Sequence, residues 1–169
     1  MSNEAEFLKF SSEKLTQLYG RIETCLAKLT PEQIWTRGAE TENAVGNLVL
    51  HLAGNVRQWI LCGVSGAEDH RDRNSEFDAR SGENVLERLR PVVEEASALI
   101  ASLPHERLRE RKTIQKHYDV SVLEAIYHVV EHFAGHTGQI IFATKLLTGA
   151  DLGFYTYLRS DRATVGEKP

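Results

Sequence analysis

The chain has 169 residues, with 24 Asp and Glu against 20 Lys and Arg, a net charge of −4. That length suits a single domain with a sizeable core, and the acidic balance argues against nucleic acid as the main partner, because such binders carry a basic surplus. No apolar run approaches the roughly 18–20 residues that a membrane span needs. The two cysteines, Cys25 and Cys62, are far apart, and residues 1–9 carry no leader pattern, which together point to a reducing cytoplasm.

The first predicted helix covers residues 4–29, where Phe7, Leu8, Leu15, Leu18, Ile22, Cys25, Leu26 and Leu29 recur mostly at three- and four-residue spacing. Thr30 as N-cap and Pro31 at the first helical position predict a short turn through Trp35. The second helix is expected from about residues 41–43 to Leu61, with Val45, Leu48, Val49, Leu52, Val56, Trp59 and Ile60 on its apolar face. His51 borders that face, with Asn47 and Asn55 one turn to either side, and Gly63 to Gly66 close the helix. Residues 64–82 are polar and read as a long connection with one aromatic anchor, Phe77. The third helix spans residues 83–102 and contains Pro91, which either kinks it or opens a new helix. A second polar connection, residues 105–120, holds two candidate extended pieces at 113–115 and 118–120. The fourth helix, residues 121–147, opens on a Ser121/Glu124 capping box and stops at Gly149. Its seam is read as Leu123, Ile126, Tyr127, Val130, Ala134, Thr137 and Ile141, and Leu152, Phe154, Tyr155 and Tyr157 are expected to tuck against the helices. Four amphipathic helices with weak strand signals predict an all-α bundle with two long connections. The domain is placed over residues 1–160, with a disordered tail over 161–169.

Seven histidines is many for this length, and His70, His105 and His117 fall in polar connections. His132 and His136 are different: at i, i+4 on a helix they lie about 40° apart on one face and about 6 Å along the axis. Two imidazoles so placed can share a metal ion, and a third from a facing helix, His51, completes a three-nitrogen site with coordination left for water or substrate. Burying several imidazoles unpaired is costly, and a shared cation compensates them. Gly54, Gly135 and Gly138 sit in these helices against propensity, which suggests a close approach of the two helices. His128, two turns before His136, is too far to share the ion end to end and reads as a neighbour of the site or a substrate-facing base. Asn47, Asn55 and Glu131 are candidates to hold ligand tautomers by hydrogen bonding. Phe133 follows the first histidine where a zincin needs Glu, which excludes that peptidase chemistry. No residue identifies itself as the catalytic acid or base.

His51 in the second helix, His132-x-x-x-His136-x-Gly138-Gln139 in the fourth, the Pro31–Trp35 turn and the chain length resemble the DinB/YfiT-like metalloenzyme superfamily. Leu52-Ala-Gly-Asn55, Arg73-Asn-Ser-Glu76-Phe77, His136-Thr-Gly-Gln-Ile140 and the Asp151…Tyr155 tail are similar to an uncharacterised bacterial branch of it. The resemblance implies an up-down-down-up four-helix bundle, often a homodimer, with zinc or nickel on His51, His132 and His136. Some relatives are thiol-dependent transferases or isomerases that use low-molecular-weight thiols. The chain departs from many relatives at Thr137, where they carry Arg.

Two readings follow. The first is a metal-dependent enzyme acting on a small-molecule substrate, with thiol transfer or related detoxification or hydrolytic chemistry. The second is a non-catalytic bundle that the ion stabilises and that works through its dimer surface.

Overall fold

In the computed structural model, which describes residues 2–158, α1 (Asn3–Leu26) starts where the Ser2 hydroxyl accepts the Ala5 N–H at 3.3 Å. Its inward stripe is Leu8, Leu15, Leu18, Ile22, Cys25 and Leu26. A capping box follows: the Thr30 hydroxyl accepts from Gln33 N and Gln33 Oε1 accepts from Thr30 N, which opens the one-turn α2 (Pro31–Ile34). Helix α3 (Val45–Val56) begins later than the sequence suggests, where Asn47 Oδ1 accepts the Ala44 N–H.

Helix α3 does not end at Val56 but widens into a π-helical segment, Arg57–Val64, with Ser65 N donating five residues back to Ile60 O. Gly66, at φ 88, closes it by donating to Cys62 O. The expected long connection contains a further element, α4 (Arg73–Asp78), whose N-cap Asp72 accepts from Asn74 N and Ser75 N. Helix α5 (Val85–Ser102) runs through Pro91 without interruption, with that ring on the exposed side. Residues 105–109 form a 3-10 turn. They lead into an antiparallel hairpin of β1 (Arg111–Ile114) and β2 (Tyr118–Ser121), in register Ile114 opposite Tyr118. Gln115 and Lys116 make its turn in the left-handed region, at φ 53 and 62. Helix α6 (Val122–Thr148) opens on the Ser121/Glu124 capping box and stops at Gly149 in the left-handed region, φ 65.

The protein is mostly helical with a small two-stranded sheet. Helix α1 packs against α5 and α6, and α3 packs against the same pair. The core they share includes Leu15, Ile22, Leu52, Leu89, Ile100, Ile126 and Phe133, all fully buried. Among the described residues no helix is long and apolar enough to cross a membrane.

Two expectations need correction. The inward face of α6 is Val122, Ala125, Ile126, Val129, Phe133, Thr137, Ile140 and Thr144, whereas Leu123, Tyr127 and Ala134 of the predicted seam are exposed. Threonines serve as core because Thr137 and Thr144 return their hydroxyls to Phe133 O and Ile140 O, each at 2.8 Å. In the tail, Leu152 is buried and Phe154 packs on the core, but Tyr155 and Tyr157 are exposed; the Arg21 guanidinium lies over the Phe154 and Tyr155 rings. The expected tail disorder after residue 160 lies outside the described residues.

The glycines act in different ways. A Cβ on Gly54 would overlap the Glu76 carboxylate and crowd Arg71, so glycine there lets α4 and its approach seat on α3. Gly135 and Gly138 have open space where a Cβ would stand, so neither serves a close helix approach among the described residues. Gly54→Ala is expected to cost about 1–3 kcal/mol through overpacking, measured as a lower urea midpoint at unchanged slope. An unchanged midpoint would show that Glu76 and Arg71 do not need this space.

Candidate metal centre

The facing helices α3 and α6 bring three imidazoles together. His132 and His136 stand one turn apart on α6 with ring centres 4.5 Å from each other, and the His51 ring on α3 lies 5.1 Å from each. One nitrogen from each ring lies within 4.8 Å of the others, close enough to hold one metal ion. His51 Nε2 and His132 Nε2 are only 2.9 Å apart. Two imidazole nitrogens at that distance cannot both present lone pairs unless a proton or a cation sits between them.

Hydrogen bonds on the far side of two rings settle which nitrogens face the centre. His51 Nδ1 lies 3.0 Å from Glu76 Oε2 and 3.1 Å from Arg71 Nη2; the carboxylate can only accept, and Nη2 has Glu76 Oε2 and His51 O as its own acceptors, so the Nδ1 proton goes to Glu76 and Nε2 keeps its lone pair. His136 Nδ1 likewise donates to Gln139 Oε1 at 2.7 Å, which leaves its Nε2 as a lone-pair donor. Neutral imidazoles held this way are the donor set a divalent ion of zinc type takes, and the outer hydrogen bonds fix tautomer and ring orientation. The residues present therefore fit such an ion.

Glu76 is itself buried and anchored. Arg71 grips it with two bonds, Nε to Oε1 at 2.7 Å and Nη2 to Oε2 at 2.8 Å, while Arg71 Nη1 reaches Gln58 Oε1. Burial alone would raise the Glu76 carboxyl, but the bonds from Arg71 and His51 outweigh it and hold the group below its ordinary range. The Phe77 ring covers His51, with centres 4.8 Å apart.

Burial also favours the neutral form of His132, His136 and His128. It is the main cause that pushes His132 down to about 4, aided by its neighbours His136, His51, His128 and Arg71. His136 and His128 are lowered by burial as well.

The other candidates are placed as follows. Asn47 makes no hydrogen bond to the three rings; its amide accepts from Arg37 and donates to Glu76 O and Ala79 O, which clamps the backbone of α4. Asn55 is buried beside the site with its Oδ1 unpartnered. His128 stacks between Trp59, at 4.0 Å, and His132, at 5.5 Å. Glu131 is exposed. Thr137 points into the core rather than to the histidines. The Cys62 thiol, raised by burial, bonds to Glu68 O.

Sequence reasoning missed Glu76, Arg71 and Gln139 as partners of the site. A usable signal for the first is Asp72, which caps a turn that places Glu76 inward, and for the last the i+3 spacing from His136.

His132 and His136 titrate near 6.5 in an unfolded chain and remain neutral to lower pH when folded. Below about pH 6.5 the unfolded chain therefore takes up protons that the folded one does not. Chelator-treated protein is expected to lose melting temperature as pH falls from about 6.5 toward 4, with the Glu76 contribution lost last, below its ordinary 4.5. A melting temperature that holds steady or rises between pH 6.5 and 5 would contradict buried neutral imidazoles.

No curated protein matches the chain. Among solved structures it is similar to the one titled "Crystal structure of the conserved protein of locus from Enterococcus faecalis", with a TM-score of 0.67 at 19% identity over 83% of this chain and 96% of that one. That likeness concerns the fold alone. A family model described as a protein of unknown function, DUF1572, matches residues 2–160, and the chain belongs to that family.

Proposed function

We propose that the protein is a metal-dependent enzyme of the DinB/YfiT-like superfamily, its four long helices forming an up-down-down-up bundle. The ion is divalent, zinc or nickel, and His51, His132 and His136 hold it. The observation that carries this reading is the 2.9 Å approach of His51 Nε2 to His132 Nε2, with the His51 proton held on the far side by Glu76. An ion bound there supplies Lewis acidity, lowering the pKa of a water or thiol so that a nucleophile exists at neutral pH.

The chain's own residues do the rest. Glu76 and Gln139 hold protons at the outer nitrogens of His51 and His136. Arg71 keeps Glu76 ionised, and Phe77 shields the His51 ring. The cavity that borders His51 and His132 supports the enzyme reading over the purely structural one, because it gives a small molecule access to the centre. A low-molecular-weight thiol is the first substrate class to screen, by thiol consumption with electrophilic acceptors.

A homodimer is supported by the outer face of α6, where Leu123, Tyr127, Phe142 and Leu146 are exposed beside the open Gly135 and Gly138.

Three outcomes test these readings. In titrations of untagged protein with zinc and nickel, His51→Ala or His132→Ala is expected to lower affinity by two orders of magnitude or more, and full affinity in His51→Ala would refute the three-ligand set. Glu76→Gln is expected to lower it about 10–100-fold while the protein stays folded; no change would detach Glu76 from the centre. Phe142→Glu with Leu146→Glu is expected to convert a dimer to a monomer in sedimentation without changing metal affinity, and a wild-type monomer would refute that interface.

A further inference from the structure

Between α3 with its π-helical extension, the hairpin and α6 lies a cavity of about 580 Å³, with His51 and His132 at its wall. Two side chains in that wall are almost wholly enclosed, each 4% exposed, and unpaired: Asn55 through Oδ1 and Trp59 through its indole N–H. Buried polar groups are nearly always paired, and an orphan is costly. Among the described residues two other buried polar atoms, Arg37 Nε and Ser97 Oγ, also lack a partner but lie outside this wall, so Asn55 and Trp59 are the unpartnered pair that borders the cavity. Trp35 donates its indole N–H to Gly82 O at 3.1 Å, and the Asn47 amide is fully engaged.

The backbone turns Trp59 to this place. It lies in the π-helical segment, a geometry frequent at functional sites, and its ring stacks on His128. Gly63 leaves room for Ile114, so the hairpin docks on the same segment and brings Tyr118 to 5.5 Å from the Trp59 ring. Charge at the cavity is also unbalanced. Arg71 is occupied by Glu76, and Glu124 is held by Ser121 and Arg111, but Arg73 has no acidic partner among the described residues and lies over Phe77. The wall thus offers one spare donor, one spare acceptor and one spare cation.

We propose that this cavity binds a small organic anion with an amide group. The amide carbonyl accepts from Trp59 Nε1, the amide N–H donates to Asn55 Oδ1, and the carboxylate meets Arg73. An N-acylated amino acid is the simplest molecule with these three parts. The bound molecule lies against His51 and His132, so its role as a substrate rests on the metal-site reading, whereas its binding needs no ion.

The test uses the full chain, ¹⁵N-labelled and kept in chelator, titrated with N-acetylglycine. The Trp59 indole N–H is expected to shift saturably while that of Trp35 stays in place. Asn55→Leu and Trp59→Phe, followed through the backbone amides of residues 55–60, are each expected to weaken binding at least about tenfold, and Arg73→Gln several-fold. Folding of each variant is checked by its dispersed spectrum, and either variant alone suffices if the other does not fold. Acetate, which lacks the amide, is expected to bind at least about tenfold more weakly. A Trp59 indole that does not respond, wild-type affinity in the folded Asn55 or Trp59 variant, or acetate as tight as N-acetylglycine would overturn the proposal. His136→Ala, a ligand position outside the cavity wall, separates the two readings: it is expected to lose zinc affinity and keep N-acetylglycine, whereas Asn55→Leu does the reverse.

Discussion

A carboxylate taken out of water governs this structure. Glu76 is only 7% exposed, and removing an ionised group from solvent costs several kcal/mol unless partners replace the water. Arg71 and His51 are those partners, and each needs the carboxylate in turn. The arrangement requires α4 at a fixed height on α3. Gly54 supplies the space, Asn47 and Arg37 bind the α4 backbone, and Phe77 closes over His51. A stretch that looks like loop is thereby made a rigid part of the site.

Helix α3 serves two purposes along one line. Its α-helical part presents His51 to the α6 pair, and its π-helical extension presents Trp59 to the cavity beside them. Widening the helix changes the direction in which residues after Val56 project, so the aromatic row Tyr118, Trp59, His128 and His132 runs from the hairpin to the histidines. The hairpin depends on the same segment through Ile114 against Gly63. His51 and Trp59 are thus set by one continuous element, which couples their relative position to the core rather than to a mobile loop.

Much of this was legible in the sequence. The four long helices, the Thr30 cap, the Ser121/Glu124 capping box and the Gly149 stop follow from periodicity and end signals, and His132 with His136 follows from i, i+4 spacing. His51 could be matched to them because it borders an apolar face. The remainder was hidden for physical reasons. Leu123, Tyr127 and Ala134 read as core because they are apolar, whereas the inward face of α6 runs through Val122, Ala125, Val129 and Phe133 beside Ile126 and Thr137. Glu76 sits 25 residues from His51 in a polar stretch with no periodicity, so only the folded chain joins them. The π-helical turn leaves no compositional mark, and Asn47, spaced to look like a partner of His51, is drawn instead to the α4 backbone.

The central claim is that three imidazoles, and no sulfur, hold one divalent ion. X-ray absorption at the zinc edge of zinc-loaded, untagged protein tests it most directly. The account predicts three imidazole nitrogens at about 2.0–2.1 Å, with the remaining coordination from light atoms outside the triad. A sulfur shell at about 2.3 Å, or a spectrum that accommodates no more than one imidazole, would contradict it.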